Sequence, residues 1–135
     1  MYKTILAPLD GSKRAEKILP HIEELGMRFE ARIIFLQVVE PVPLVTDAAA
    51  PHAVHPQTEY TDRRKEAETY LAGRAGIFKE KGVTARTRIV GGPVVEGIIN
   101  TAESEDADLI AIASHGRTGL TQVFYGSVAA GLLHR

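Results

Sequence analysis

Residues 32 to 39 have the sequence RIIFLQVV, and this stretch decides the fold class. After Arg32 it is almost entirely apolar, which is typical of a strand in a parallel sheet that helices cover on both faces. Pro41 and Pro43 follow, and they end the strand because proline lacks the N–H group that a sheet ladder needs. The stretch therefore predicts a buried strand of an α/β protein.

The chain before this strand predicts a strand and a helix. Residues 4 to 9 are an apolar run that ends at Asp10 and Gly11, which indicates a buried strand leading into a turn. Ser12 can cap the helix that follows. Apolar residues recur there at three- and four-residue steps, at Ala15, Ile18, Leu19, Ile22 and Leu25. Pro20 interrupts this helix and is expected to bend it.

The chain after the strand predicts a loop, a helix and another strand. Residues 40 to 58 are rich in Pro and Ala without a period, so we expect a long loop. Residues 59 to 81 have apolar positions at helical spacing, and Gly82 closes this second helix. Residues 83 to 90 alternate as a third strand, and the turn Gly91-Gly92-Pro93 follows.

The C-terminal third completes the alternation of strands and helices. Apolar residues from Val94 onward predict a third helix, and residues 108 to 113 (DLIAIA) predict a fourth strand. Residues 114 to 125 are interpreted as a loop, and Gly126 as the start of a last helix. Residues 1 to 135 are thus expected to form one Rossmann-like α/β domain, a parallel sheet of four visible strands with helices on both faces. Ligands in such sheets bind beyond the carboxyl ends of the strands.

Composition excludes several functional classes. The formal net charge of -1 gives no general field to attract nucleic acid or anionic lipid, so neither is an expected partner. The absence of cysteine excludes a disulfide framework, a thiolate metal site and a cysteine nucleophile. No segment approaches the roughly 18 consecutive apolar residues of a membrane span. We therefore expect a cytoplasmic protein.

The glycines near the C-terminus suggest an anion site. Gly116 and Gly126 allow the backbone to approach an anion closely, and free amides at the start of the last helix, at Ser127 and Val128, can donate to phosphate oxygens. Arg117 can add positive charge. The alternatives are that the glycines only permit tight turns and that Arg117 is simply solvated.

This segment resembles the nucleotide-binding signature of the universal stress protein family, G-x2-G-x9-G-[S/T]. Here the pattern has Ala113 at the first position, then Gly116, and Gly126-Ser127 at the end. The N-terminal sequence ILAPLDGS and the turn of residues 91 to 93 are also similar to that family. The resemblance implies a five-stranded fold of the adenine nucleotide α-hydrolase-like type, usually dimeric, in which many members bind ATP.

The resemblance also implies a set of nucleotide-binding residues: Pro8, Leu9, Asp10, Val38, Ala113, Gly116, Arg117, Gly126, Ser127 and Val128. Asp10 corresponds to the family acid that meets the ribose, and its carboxylate can accept hydrogen bonds from ribose hydroxyls. Val38 corresponds to the residue whose backbone meets adenine. The alternatives are that Asp10 is a turn or cap residue before Ser12 and that Val38 only packs in the core.

The sequence departs from the family pattern in two places. Ala113 replaces the first glycine of the motif, and its methyl group would crowd the ligand if the position needs positive φ or a close approach. The family's Pro- and Val-rich fifth strand has no counterpart before Arg135. We therefore expect either that the chain continues further or that another chain covers the exposed edge of the fourth strand.

The function predicted from these features is adenine-nucleotide binding by a homodimeric stress-response or regulatory module. ATP is the expected ligand, with AMP and cyclic AMP as alternatives and Mg²⁺ as a companion of ATP. The competing hypotheses are a slow ATPase and a nucleotide-free interaction protein. No catalytic residue is predicted. No metal site is predicted either, because His52 and His55 have no cysteine or carboxylate pair to complete one.

Overall fold

The fold is an α/β sheet structure, as a computed structural model of the chain shows. The structure describes the backbone of residues 3–40, 56–116 and 119–126 and the side chains of residues 3–40 and 59–113. Its elements in chain order are β1 (Thr4–Pro8), α1 (Lys13–Glu16), α2 (Leu19–Phe29), β2 (Arg32–Val39), α3 (Pro56–Glu80), β3 (Ala85–Gly91), α4 (Val94–Ser104), β4 (Leu109–Gly116) and β5 (Gly119–Gly126).

The five strands form one sheet in the order β3-β2-β1-β4-β5. The contacts β1–β2, β2–β3 and β1–β4 are parallel, and β5 runs antiparallel to β4. The predicted α/β class with a parallel sheet is therefore confirmed. The chain moves outward from β1 to β2 and β3 and then crosses to β4 on the other side of β1, so the strand order reverses between β1 and β4.

The core explains why residues 32 to 39 are apolar. Ile33 and Phe35 belong to a cluster with residues of α2 and α3, and the Phe35 ring meets Phe78 of α3 edge to face at 5.0 Å. Ile34 and Leu36 belong to a second cluster on the other face, with Ala102 of α4. Helices thus cover β2 on both faces, as predicted. None of the helices within the described residues combines the length and apolarity needed to cross a bilayer.

The first predicted helix is divided in two. Ser12 caps it as expected, since the N–H of Ala15 donates to Ser12 Oγ at 3.1 Å. The helix is interrupted near Pro20 as predicted, but Pro20 does not bend one continuous helix, which corrects that part of the prediction. Instead α1 ends at Glu16, and Pro20 lies in the first turn of α2, where a missing N–H removes no hydrogen bond.

The C-terminal segment contradicts the predicted loop over residues 114 to 125. Its first residues continue β4 to Gly116, and residues 119 to 126 form β5, with Gly116 and Gly119 paired at the end of the ladder. Residues 120 to 125 (LTQVFY) are mostly β-branched, aromatic or otherwise apolar, and this composition favours pairing with β4. The predicted strands are the four parallel ones, and β5 is additional. The helix predicted after Gly126 lies outside the described residues.

Charged side chains join the ends of elements that are separate in the sequence. Asp108 precedes β4, and its Oδ2 accepts hydrogen bonds from the N–H groups of Lys3 at 2.8 Å and Thr4 at 2.9 Å. These backbone hydrogen bonds hold the pKa of Asp108 below its usual value of 3.8. At the edge of the sheet formed by β3, Arg86 and Arg88 of this strand pair with Glu105, which directly follows α4. The distance from Arg88 to Glu105 is 2.7 Å.

Candidate functional site

A cavity of about 370 Å³ opens at the carboxyl ends of β1 and β2, beside β4. We call it the α4-side cavity, because Val94 and Ile98 of α4 line it. Its volume lies within the roughly 300–1,000 Å³ that small-molecule sites have. Half of the residues predicted to bind a nucleotide line this cavity, namely Pro8, Leu9, Asp10, Val38 and Ala113.

A second cavity of about 360 Å³ adjoins the first. We call it the α3-side cavity, because Glu66, Ala67 and Tyr70 of α3 line it. The two cavities share the lining residues Asp10, Gln37, Val38 and Arg63. They can therefore receive different parts of one ligand.

The register of the sheet explains why the predicted residues meet. Pro8 pairs with Leu36, and the N–H of Leu9 donates to the carbonyl of Leu36 at 2.8 Å. On the other side, Ile5 and Leu6 pair with the first residues of β4. The residues that follow β1 therefore lie between the ends of β2 and β4, where the strand order reverses and α/β sheets bind ligands.

Asp10 is exposed and holds the turn after β1. Its Oδ1 accepts a hydrogen bond from the N–H of Ser12 at 2.9 Å. Burial acts to raise the pKa of Asp10, but hydrogen bonds from Ser12 and the charge of Arg14 outweigh it and hold the pKa below 3.8. The turn role is thus present in the structure. A carboxylate accepts up to about four hydrogen bonds, so Asp10 remains able to accept from a ligand.

Val38 packs against α4 as well as lining both cavities. A Cβ atom at Gly97 of α4 would lie 2.9 Å from Val38 Cγ2 and 3.2 Å from Val90 Cγ2. The helix can approach β2 this closely only because position 97 is glycine. The core-packing role considered for Val38 is therefore real, and it fixes the end of β2 beside the cavities.

Ala113 lies within β4, opposite Gln122 of β5, and its side chain packs against the core cluster of the α2–α3 face. Among the described residues other than glycine, positive φ occurs at Glu30 and Asp106. Ala113 therefore has ordinary strand geometry, and its position does not require glycine for conformational reasons.

The glycines of the motif lie far from each other along β4. Gly116 ends β4, about 10 Å beyond Ala113 at the usual rise per residue. Gly126 pairs with Leu109 at the beginning of β4, about 13 Å from the level of Ala113 in the opposite direction. The structure does not bring Gly126 to either cavity, because β5 carries the chain back along β4. Arg117, Ser127 and Val128 lie outside the described residues, as do His52 and His55.

The cavities are also lined by residues that the sequence did not single out as site residues, among them three with polar side chains that could contact a ligand. Arg14 of α1 and Arg63 of α3 both line the α4-side cavity, and Arg63 Nη1 donates to the carbonyl of Glu40 at 3.5 Å. Guanidinium groups suit phosphate because they can donate two parallel hydrogen bonds. The third residue is Gln37, and its signal in the sequence is that it interrupts the apolar run of β2.

Tyr70 is held in place at the α3-side cavity. Its hydroxyl donates to Glu16 Oε2 at 2.5 Å, and Glu16 also pairs with Arg74 at 3.1 Å. Burial, together with Glu16, raises the pKa of Tyr70 to about 12, so this residue stays a neutral donor at any physiological pH. Across the described part of the chain there is no group of three or more His, Cys, Asp or Glu residues suited to a metal ion.

The whole chain matches a known family. The sequence profile of the Universal stress protein family matches residues 1–135. Universal stress protein MJ0531 of Methanocaldococcus jannaschii is 29% identical over 129 residues, which are 96% of this chain and 74% of that protein.

Solved structures have the same fold. The structure of protein MJ0577 from the same organism has a TM-score of 0.71 at 27% identity and covers 100% of this chain and 90% of that one. A universal stress protein in complex with cAMP has a TM-score of 0.50 at 19% identity, with 82% of this chain and 71% of that one covered. A likeness at 19% identity shows the fold alone, but it shows that one protein of this fold was solved with a nucleotide.

Proposed function

The chain belongs to the universal stress protein family, and we propose that it is a regulatory module that binds an adenine nucleotide, with ATP as the principal ligand and AMP and cyclic AMP as alternatives. One observation carries the proposal. Residues predicted from three separate strand ends, including Asp10, Val38 and Ala113, line one cavity of about 370 Å³ where the strand order reverses.

The nucleoside half of the ligand would occupy the apolar part of this cavity. The Asp10 carboxylate, ionised because its pKa lies below 3.8, would accept hydrogen bonds from the ribose hydroxyls. The backbone of Val38 would meet the adenine edge, while Val94 and Ile98 supply apolar walls. These groups suit a nucleoside because they combine a few polar contacts with apolar surface.

The phosphate half would be held by arginines and backbone amides. Arg14 and Arg63 line the same cavity from two different helices, and their charges oppose those of the phosphates. Gly116 and Arg117 remain predicted phosphate ligands, and Mg²⁺ would accompany ATP. Gly126 is left out of this proposal, because it pairs with the beginning of β4. Ser127 and Val128 directly follow Gly126 in the sequence and are left out together with it.

Calorimetric titration of the full chain with adenosine, AMP, cyclic AMP, ATP and GTP tests the proposal. We expect ATP to bind more tightly than GTP. Combined Arg14→Gln and Arg63→Gln replacement should weaken ATP binding by about 10-fold or more, since each charged hydrogen bond contributes about 1.5–3 kcal/mol before solvent screening. Adenosine affinity should change less than about 2-fold, because adenosine lacks phosphates.

Arg28→Gln is the matched control, because Arg28 is exposed on α2 and pairs only locally with Glu24 at 3.2 Å. This variant should bind ATP as the unmodified chain does. If no nucleotide binds to the full chain, and mass spectrometry finds none released from freshly purified protein, the proposal is wrong and the nucleotide-free interaction protein takes its place.

The proposal includes a homodimer in the cytoplasm and, at most, slow ATP hydrolysis. The family resemblance supports the dimer, and sedimentation velocity of the full chain tests it. The proposal assigns Asp10 to the ribose and gives no lining residue the role of a base that activates water. We therefore expect phosphate release to stay near the uncatalysed rate.

A further inference from the structure

Gln37 carries an unusual buried group. It lies in β2 between Leu36 and Val38, and it is the one polar residue in the run from Ile33 to Val39. Its side-chain oxygen Oε1 is buried and has no hydrogen-bond partner among the residues that the structure describes. Buried polar atoms in folded proteins are nearly always paired, so this oxygen calls for a physical reason.

The position of Gln37 links it to both cavities. Side chains alternate along a strand, so Gln37 projects to the same face as Phe35, toward α3, while Val38 projects toward α4. Gln37 lines the α3-side cavity and the α4-side cavity. The Gln37 side chain therefore belongs to the wall that a ligand in either cavity would meet, and rotation of its terminal amide would turn the buried oxygen toward that ligand.

The neighbouring groups of the α3-side cavity do not satisfy this oxygen. Tyr70 donates its hydroxyl proton to Glu16 instead, and Arg63 Nη1 donates to the carbonyl of Glu40. Glu66, when ionised, only accepts hydrogen bonds, and Ala67 has no polar side-chain atom. An unpaired buried acceptor lowers the stability of the folded chain, and a donor that arrives with a ligand would remove this cost.

We propose that Gln37 is a ligand-recognition residue whose Oε1 accepts a hydrogen bond from a neutral donor on the nucleoside half of the bound nucleotide. The donor is the amino group of the base or a hydroxyl of the ribose, and the α3-side cavity receives it. This inference rests on the nucleotide binding proposed above. It extends the site into a second cavity, beyond the residues that the family signature supplies.

Gln37→Met tests the inference, because methionine has nearly the same length and shape without the amide. Removal of an unpaired buried oxygen should raise the thermal midpoint of the ligand-free protein by about 2–5 °C. Loss of the hydrogen bond should weaken ATP binding by about 3–10-fold. The two effects have opposite directions, whereas a residue with a purely structural role would lose stability and leave the affinity unchanged.

Ligand analogues identify the donor. Purine ribonucleoside triphosphate lacks the 6-amino group of ATP, and 2′-deoxy-ATP and 3′-deoxy-ATP each lack one hydroxyl. In the unmodified protein, the analogue that lacks the donor should bind about 3–10-fold more weakly than ATP. In Gln37→Met the same analogue should bind as ATP does, because the acceptor is gone. If all three analogues show the same ratio to ATP in both proteins, Gln37 meets no donor and the inference is overturned.

The controls separate this inference from the proposed function. Thr87→Val removes an exposed polar side chain from β3, away from both cavities, and should leave ATP affinity unchanged. Gln37→Leu repeats the test with a different shape, so a poor fit of methionine alone does not decide the result. If the unmodified chain binds ATP and both Gln37 variants bind it equally well, only the inference about Gln37 fails. If the unmodified chain binds no nucleotide, the proposed function fails as well.

Discussion

Ala113 is the residue at which the motif and the structure can be compared most directly. Its extended backbone in β4 accepts a side chain, and its methyl group packs against the core. We predict that Ala113→Gly lowers the free energy of unfolding by about 0.5–1 kcal/mol, because glycine loses more backbone entropy on folding. ATP affinity should change less than about 3-fold. Urea unfolding and calorimetric titration measure the two quantities, and a gain in affinity of more than about 10-fold would show that the methyl group obstructs the ligand.

The residues of the candidate site could be predicted from the sequence only in part. Asp10 and Ala113 could be predicted as site residues because strand ends in a parallel sheet meet at one edge. Arg14 and Arg63 could not be predicted as site residues, because exposed arginines are common on helices. Their position at the cavity depends on how α1 and α3 pack. Gln37 left a visible signal, a polar residue in an apolar strand, but its unpaired oxygen appears only once the surroundings are known.

At the scale of elements, Asp108 joins β4 to β1 through two backbone hydrogen bonds. We predict that Asp108→Asn lowers the free energy of unfolding by about 0.5–1 kcal/mol near neutral pH, a value discounted for solvent exposure. The pKa of Asp108 in the folded chain lies below its usual value of 3.8, so its contribution to stability is complete well above pH 3.8 and is lost as the pH falls below that value.

Urea unfolding at pH 7, 5 and 3 checks this prediction. The difference between the unmodified chain and Asp108→Asn should be constant from pH 7 to 5 and smaller at pH 3. Asp62→Asn on the exposed surface of α3 is the control, and its effect should be near zero at each pH. A difference that grows as the pH falls would contradict the role given to Asp108.

The packing of α4 on β2 gives a prediction with a matched control. Gly97→Ala would bring a Cβ atom within 2.9 Å of Val38 Cγ2. We expect it to lower the free energy of unfolding by about 1–3 kcal/mol, the usual cost of overpacking. Gly73→Ala in α3 has nothing within 4 Å of the new atom, so it should raise stability by up to about 1 kcal/mol through helix propensity. Equal effects in chemical unfolding would contradict the close approach at Gly97.

The boundaries of the elements show which signals in the sequence suffice. The strand over residues 32 to 39 coincides with β2, because a continuous apolar run between turn residues has one simple interpretation. Pro20 marks the interruption of the first helix but does not bend it, since proline is tolerated in the first turn of a helix and sequence alone does not fix where α2 begins. For residues 114 to 125, the glycines favoured a loop, whereas the strand-forming residues between them pair with β4.

For the whole molecule, ligand binding and unfolding are linked. A nucleotide that binds only the folded chain stabilises it by about 2.7 kcal/mol at a concentration of 100 times Kd. For a domain of this size that corresponds to a rise in Tm of roughly 8–12 °C. We predict this rise with ATP in a thermal unfolding experiment, and a smaller one with GTP at the same concentration. Equal shifts with both nucleotides would indicate phosphate binding without recognition of the base.

The outer strand β3 is protected by arginine. Arg64 of α3 donates to the carbonyl of Ile89 at 3.4 Å, and Arg86 and Arg88 project from the same strand toward Glu105. Exposed carbonyl groups on an outer strand are the template on which a second chain can add and fibrils can grow. The Arg64 side chain covers one of these carbonyls, and the charges of Arg86 and Arg88 lie on the same strand, so such polymerisation is opposed. The arginines of β3 and α3 thus favour a chain that stays dispersed when it is concentrated.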